Sequence, residues 1–170
     1  MKWLRIVLEA IGASSILALV VVSAWFFYSK TSDKVDAAKR NDVLFIFNSS
    51  GIASNQDFRI LSSYQSRRSM TGDHLDFYCI EISKFDVADW AKELWRDGPE
   101  MEPLLAEALE SAVNDARQHS PCFLPLQEAN SEGIKVAFES VVLYGRHPTA
   151  ADIILYAPRK KMLYYVSYKT

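Results

Sequence analysis

Residues 75–82 read Leu75-Asp76-Phe77-Tyr78-Cys79-Ile80-Glu81-Ile82. On a strand, Leu75, Phe77 and Cys79 point to one side while Tyr78, Ile80 and Ile82 point to the other. Both sets are largely apolar, which predicts a strand at least partly buried on both faces. Upstream, residues 58–65 carry a second β-type run. The intervening Arg67-Arg68-Ser69-Met70-Thr71-Gly72-Asp73-His74 is polar and turn-rich. Two such runs joined by such a loop predict a hairpin.

Two helical patterns follow. Asp86 suits an N-cap, with Asp89 three residues on, and Val87, Trp90, Ala91, Leu94 and Trp95 then fall on one helical face. Gly98-Pro99 stops that pattern. The next starts near Pro103 and carries the stripe Leu104, Leu105, Ala108, Leu109, Ala112, Val113 and Ala116. Its acids lie early and its bases, Arg117 and His119, lie late, as the helix dipole favours. Residues 134–144, 152–156 and 162–168 read as strands, with His147-Pro148 and Ala157-Pro158-Arg159-Lys160 as turns. Val43-Leu44-Phe45-Ile46-Phe47 must be buried, and the lack of a breaker over 36–47 favours a helix there. The order of hairpin, two helices and three strands predicts an α+β domain, with two amphipathic helices on one face of a single antiparallel sheet.

Toward the N-terminus, residues 10–29 contain no charged side chain and centre on Ile16-Leu17-Ala18-Leu19-Val20-Val21-Val22. Twenty helical residues rise about 30 Å, the thickness of a bilayer core. Trp3 at one end and Trp25-Phe26-Phe27-Tyr28 at the other suit the two headgroup levels. This predicts a single-pass signal-anchor. Residues 1–9 would be a short cytoplasmic tail, 10–29 a transmembrane helix in contact with the lipid bilayer, 30–42 a linker or helix extension, and 43–170 an exported domain. A cleaved signal peptide competes through Val22-Ser23-Ala24, but the apolar run continues past that site. Basic residues flank the span on both sides, so orientation rests on the short tail and on the cysteines. The expected location is the bacterial inner membrane, with the C-terminal domain in the periplasm.

The composition bounds function. Hydrophobic residues are 49% and charged residues 24% of 170, which excludes a disordered or collagen-like chain. A net charge of -2 gives no electrostatic footprint for nucleic acid. Cys79 and Cys122 are the only cysteines, and an even pair in an oxidising compartment predicts one disulfide. With only His119 nearby, they make a poor zinc site, and no metal or cofactor is expected. Asp73-His74 has Ser62, Ser63, Ser66 and Ser69 close in sequence, yet no Gly-x-Ser-x-Gly elbow or phosphate loop is present.

Charge pattern remains. Asp89, Glu93, Glu100, Glu107 and Glu110 suggest an acidic face on the helical pair, and Arg67 and Arg68 form a basic spot at a hairpin end beside Asp73 and His74. These nine residues are the candidate partner-binding set, for a protein partner of basic character. The expected function is a membrane-anchored, non-enzymatic protein-binding module, in its specific form an immunity-type inhibitor of a toxin. The alternatives are a structural subunit of a secretion or envelope assembly and, third, a hydrolase.

Overall fold

The computed structural model describes residues 2–98, 101–131 and 133–170, with the backbone alone for 4–10, 27 and 29–31. The chain divides into two units, residues 1–32 and 33–170.

The first unit is one continuous helix, α1 (Lys2–Thr31). Its apolar residues Ile16, Leu17, Val21 and Trp25 are exposed. Among the described residues no helix is long and apolar enough to cross a membrane. The transmembrane reading of 10–29 is corrected accordingly. With it go the signal-anchor, the lipid contact and the inner-membrane location with a periplasmic domain.

The second unit is built on a seven-stranded antiparallel sheet: β1 (Lys34–Val35), β2 (Phe58–Gln65), β3 (His74–Ile82), β4 (Trp95–Asp97), β5 (Lys135–Tyr144), β6 (His147–Ala157) and β7 (Met162–Lys169). The spatial order is β1-β2-β3-β7-β6-β5-β4. Interior strand β3 pairs with β2 on one side and β7 on the other, so its backbone groups are satisfied while Asp76 to Ile80 and Ile82 are buried. Helix α3 (Pro103–His119) buries Ala108, Leu109, Ala112, Val113 and Ala116 against one sheet face. That face supplies Phe77, Cys79, Ile153, Leu155, Tyr164 and Val166, and a short helix, α4 (Leu126–Ala129), closes its end. Helix α2 (Arg40–Ser49) covers the other face, where Val43, Ile46 and Phe47 meet Ile80, Ile82, Ile154 and Leu163. The helices therefore lie on both faces rather than one, because β3 is apolar on both.

Three other expectations change. Residues 86–97 do not form an amphipathic α-helix. A 3-10 helix, Asp89–Leu94, leads directly into β4. Val87 bridges Ile52, the Ala88 amide donates to the Gly51 carbonyl at 2.8 Å, and Trp95 to Asp97 pair with Ala137 to Lys135. The open edge of β5 thus captures a segment that periodicity assigns to a helix, and Trp90 is left 64% exposed. The turn at 147–148 moves to Gly145-Arg146, since β6 starts at His147. Residues 30–42 are not a simple linker: β1 intervenes, and Asp36, in the left-handed region at φ 49°, exchanges hydrogen bonds with Ser63 (2.8 and 2.9 Å) before α2 starts.

Cys79 on β3 and Cys122 in the loop after α3 are joined as a disulfide, with a Cα–Cα distance of 6.5 Å that fits the usual range.

Candidate functional site

The residues selected from sequence do not converge. Asp89 pairs with Lys92 across one turn and Glu93 is exposed beside it, on the segment that packs against Gly51 at the end of α2. Glu107 and Glu110 ride on α3, across the sheet, and Glu107 is held 2.8 Å from His147 Nδ1. Glu100 lies outside the described residues. The acidic surface is thus divided between two faces. At the hairpin end, the Arg67 amide donates to Asp33 Oδ1 at 2.7 Å, and Asp73 accepts from the hydroxyls of Ser69 and Thr71. His74 sits with Nδ1 2.8 Å from the Gly72 carbonyl and Nε2 2.9 Å from Ser167 Oγ.

Arg68 leads to a different place. Its guanidinium meets Asp76 Oδ2, and Asp76 belongs to a row of polar side chains running straight across the sheet. Strand register sets Gln65 opposite Asp76, Asp76 opposite Ser167, Ser167 opposite Asp152, and Asp152 opposite Ser140. The row lies on the α2 side, one pleat beyond the apolar patch that α2 covers. Between the row and the start of α2 opens a recess of about 370 Å³, lined by Asn41, Asp42, Phe45, Ile46, Asp76, Tyr78 and Tyr165. Phe45 projects at its lip, 74% exposed.

The groups of the recess are held firmly. The Tyr78 and Tyr165 rings pack with centroids 5.6 Å apart. Gln65 Nε2 donates to Tyr78 Oη at 2.7 Å, and Tyr165 donates to Asp152 Oδ1 at 3.2 Å. Ser140 Oγ satisfies the other oxygen of Asp152 at 2.6 Å. Asp76 differs. It is only 7% exposed, and its Oδ1 meets no hydrogen-bond partner among the described residues. An orphaned carboxylate oxygen at that depth costs free energy unless something supplies a donor. Among the described lining residues two are carboxylates, three are aromatic and none is cationic.

Electrostatics follow this geometry. Burial pushes the Asp76 carboxyl above the usual range, against the opposing pull of Arg68, His74 and the Ser66 amide. Burial likewise raises Glu139 on the same side of the sheet; Ser49 opposes this shift and Asp152 adds to it. Tyr165 is raised by burial first and by Asp152 next, and Tyr78 by burial first, with Asp42 and Asp76 adding to the shift.

A carboxyl whose folded pKa is raised holds its proton longer in the native state than in the unfolded chain. Its stabilising contribution is complete below the unfolded value and is lost as pH rises through the folded value. Asp33 works oppositely: the Arg67 amide and the Tyr64 hydroxyl lower it, so its contribution exists above the unfolded value and is lost in acid. Thermal melts should therefore show stability falling as pH rises above the ordinary carboxylate range. Asp76→Asn, which keeps the shape and removes the titration, should flatten that slope; an unchanged slope would assign it elsewhere.

The His74–Ser167 contact has the outline of a base and a nucleophile. With Nδ1–H committed to the Gly72 carbonyl, Nε2 accepts from the Ser167 hydroxyl. Ser167, however, is buried in the middle of β7, with strands paired on both sides, so its own amide is not free to stabilise an oxyanion. The contact ties the β2–β3 loop to the sheet. Among the described residues, no group of three or more His, Cys, Asp or Glu is arranged to hold a metal ion.

No family model, curated protein or solved structure matches this chain.

Proposed function

We propose that the chain is a non-catalytic protein-binding module that docks a basic partner on the α2 side of its sheet. An immunity-type inhibitor that covers a toxin is its specific form. The observation that carries the reading is the recess, where Asp42 and Asp76 converge with Phe45, Tyr78 and Tyr165 and, among the described residues, no lysine or arginine lines the wall. A concave aromatic site rimmed by one sign of charge favours a partner of the opposite sign. The Cys79–Cys122 bond fits an oxidising compartment, where such a module would keep its shape without reductant.

The test is crosslinking and co-purification with the full-length protein, followed by affinity measurement with the partner recovered. The complex should weaken as salt rises. Asn41→Lys, which places a like charge at the exposed lip, should weaken it about tenfold. Absence of any stable protein partner, or a complex indifferent to both salt and Asn41→Lys, defeats the reading.

A further inference from the structure

We propose that the outer edge of β5, from Ser140 to Tyr144, is where two copies of this chain pair, β5 against β5 in antiparallel about a two-fold axis at Val142. The recess takes no part in this contact.

The edge is open and regular. Among the described residues β4 is the strand on the outer side of β5, and it pairs with Lys135 to Ala137 alone. Beyond that point every second residue of β5 turns its amide and carbonyl outward with no strand to meet them. Glu139 is the extra residue of a bulge against β6, and its carboxylate accepts from the Ser49 hydroxyl at 2.6 Å. The next irregularity inserts Thr149 on β6, so Ser140 to Tyr144 carry no extra residue of their own.

Natural sheets blunt such an edge with charge, proline, bulges or short strands. The other end of this sheet does so: β1 is two residues long with Lys34 at its start, and β2 beyond it carries Arg59 and a bulge between Ile60 and Ser62. Ser140-Val141-Val142-Leu143-Tyr144 has neither a charge nor a proline. Val142 is 55% exposed and Tyr144 83%. The same edge already holds an extended segment through β4, so a further strand continues an interface that the fold uses.

Symmetry singles out a second copy as that strand. A two-fold axis perpendicular to the sheet lays a strand antiparallel beside its own copy, with one patch meeting itself. The axis leaves the two sheet faces in place, so opposing residues share a face and the axis passes through one residue. Centred on Val142, the midpoint of the open run, it sets Val142 against Val142, Val141 against Leu143 and Ser140 against Tyr144. Every pair is uncharged, and cross-strand aliphatic pairs of this kind stabilise a sheet. Both copies then keep α2 on the same side of the joined sheet, so their recesses open the same way. A pairing this short buries little area, which makes the dimer reversible.

The experiment uses the full-length protein in a mild detergent, with micelles in excess over protein. Sedimentation velocity should show monomer passing to dimer as concentration rises. Val142→Lys, at an exposed position, sets two ammonium groups against each other on the axis and should weaken the dimer about tenfold or more. Val142→Cys supplies the one free thiol, since Cys79 and Cys122 are bonded to each other. Opposed Cα atoms lie about 4.5–5.5 Å apart, within reach of a disulfide, so mild oxidation should link the copies. Leu143→Cys is the control: its thiols would sit on Cα atoms about 8 Å apart, and it should cross-link several-fold more slowly. A monomer at every concentration, a dimer indifferent to Val142→Lys, or equal cross-linking of the two cysteine variants overturns the proposal. A dimer that survives Val142→Lys and gives no Val142→Cys bond is held by another surface, α1 included. Asn41→Lys should leave the dimer unchanged, so failure of the partner reading and failure of this one are told apart.

Discussion

Reduction of the Cys79–Cys122 bond is expected to destabilise the sheet domain by about 4 kcal/mol. The two residues are 43 apart in sequence, and releasing a loop of that length returns about 13 cal/mol/K to the unfolded chain on the loop-entropy account. The position of the bond argues that the native state draws on it fully. Cys79 is fully buried on the central strand β3, while Cys122 follows α3 and precedes the buried pair Phe123 and Leu124. The bond therefore fastens the end of α3 to the middle of the sheet. For a unit of this size, about 4 kcal/mol corresponds to a fall in melting temperature of roughly 10–15 °C. Calorimetry with and without reductant, alongside Cys79→Ala with Cys122→Ala, measures it. A shift under about 3 °C in both would mean that the reduced chain already holds the two segments together.

Strands β2, β3, β5 and β7 were legible because they are long and their apolar runs are strong, whereas the two- and three-residue strands β1 and β4 were not. β2 begins and ends where the run over 58–65 predicts, and β3 and β7 extend the predicted runs by a residue at the ends. The α3 stripe was equally readable, since its apolar residues recur over four turns and Pro103 marks its start. The segment 86–97 was not, because its fate depends on an edge of β5 that lies 40 residues downstream in the chain. Local periodicity carries no information about such a partner. The acidic candidates are dispersed for a related reason. A run of like charge along the chain is visible in one dimension, and the fold divides it between the two sides of a sheet.

The informative signal was Asp76, a charged residue inside an otherwise buried strand. Alternation alone places it on the Tyr78 face. Its companions Ser167, Asp152 and Ser140 come from three other strands, however, and only register brings them into one row. That row also explains why the recess exists. Helix α2 buries Val43, Ile46 and Phe47 over the apolar half of the sheet face. To cover the polar half as well, it would have to desolvate the half-buried Asp152 under apolar side chains, at a cost that the burial would not repay. The boundary between the apolar and polar rows therefore sets where the helix layer stops and leaves the recess beside it.

Gly51→Ala is expected to cost on the order of 2–5 kcal/mol, and the reason is where α2 ends. Gly51 follows the last turn of the helix with φ at 71°, a conformation that costs an L-residue about 1–2 kcal/mol. Added to this is a collision. A Cβ at Gly51 would lie 2.1 Å from Ala91 Cβ and 3.2 Å from the Trp90 ring. Ala91 is fully buried and has no rotamer to turn aside. The 3-10 segment is also pinned by the Ala88 amide on the Gly51 carbonyl, so backbone must move and overpacking adds about 1–3 kcal/mol. Gly133→Ala separates the two contributions. Its φ is 87°, yet nothing lies within 4 Å of the position a Cβ would take, so it should lose only the conformational part. Urea unfolding of both variants measures the difference. Equal losses would show that Ala91 yields freely, and that the junction between α2 and the 3-10 segment is looser than its packing implies.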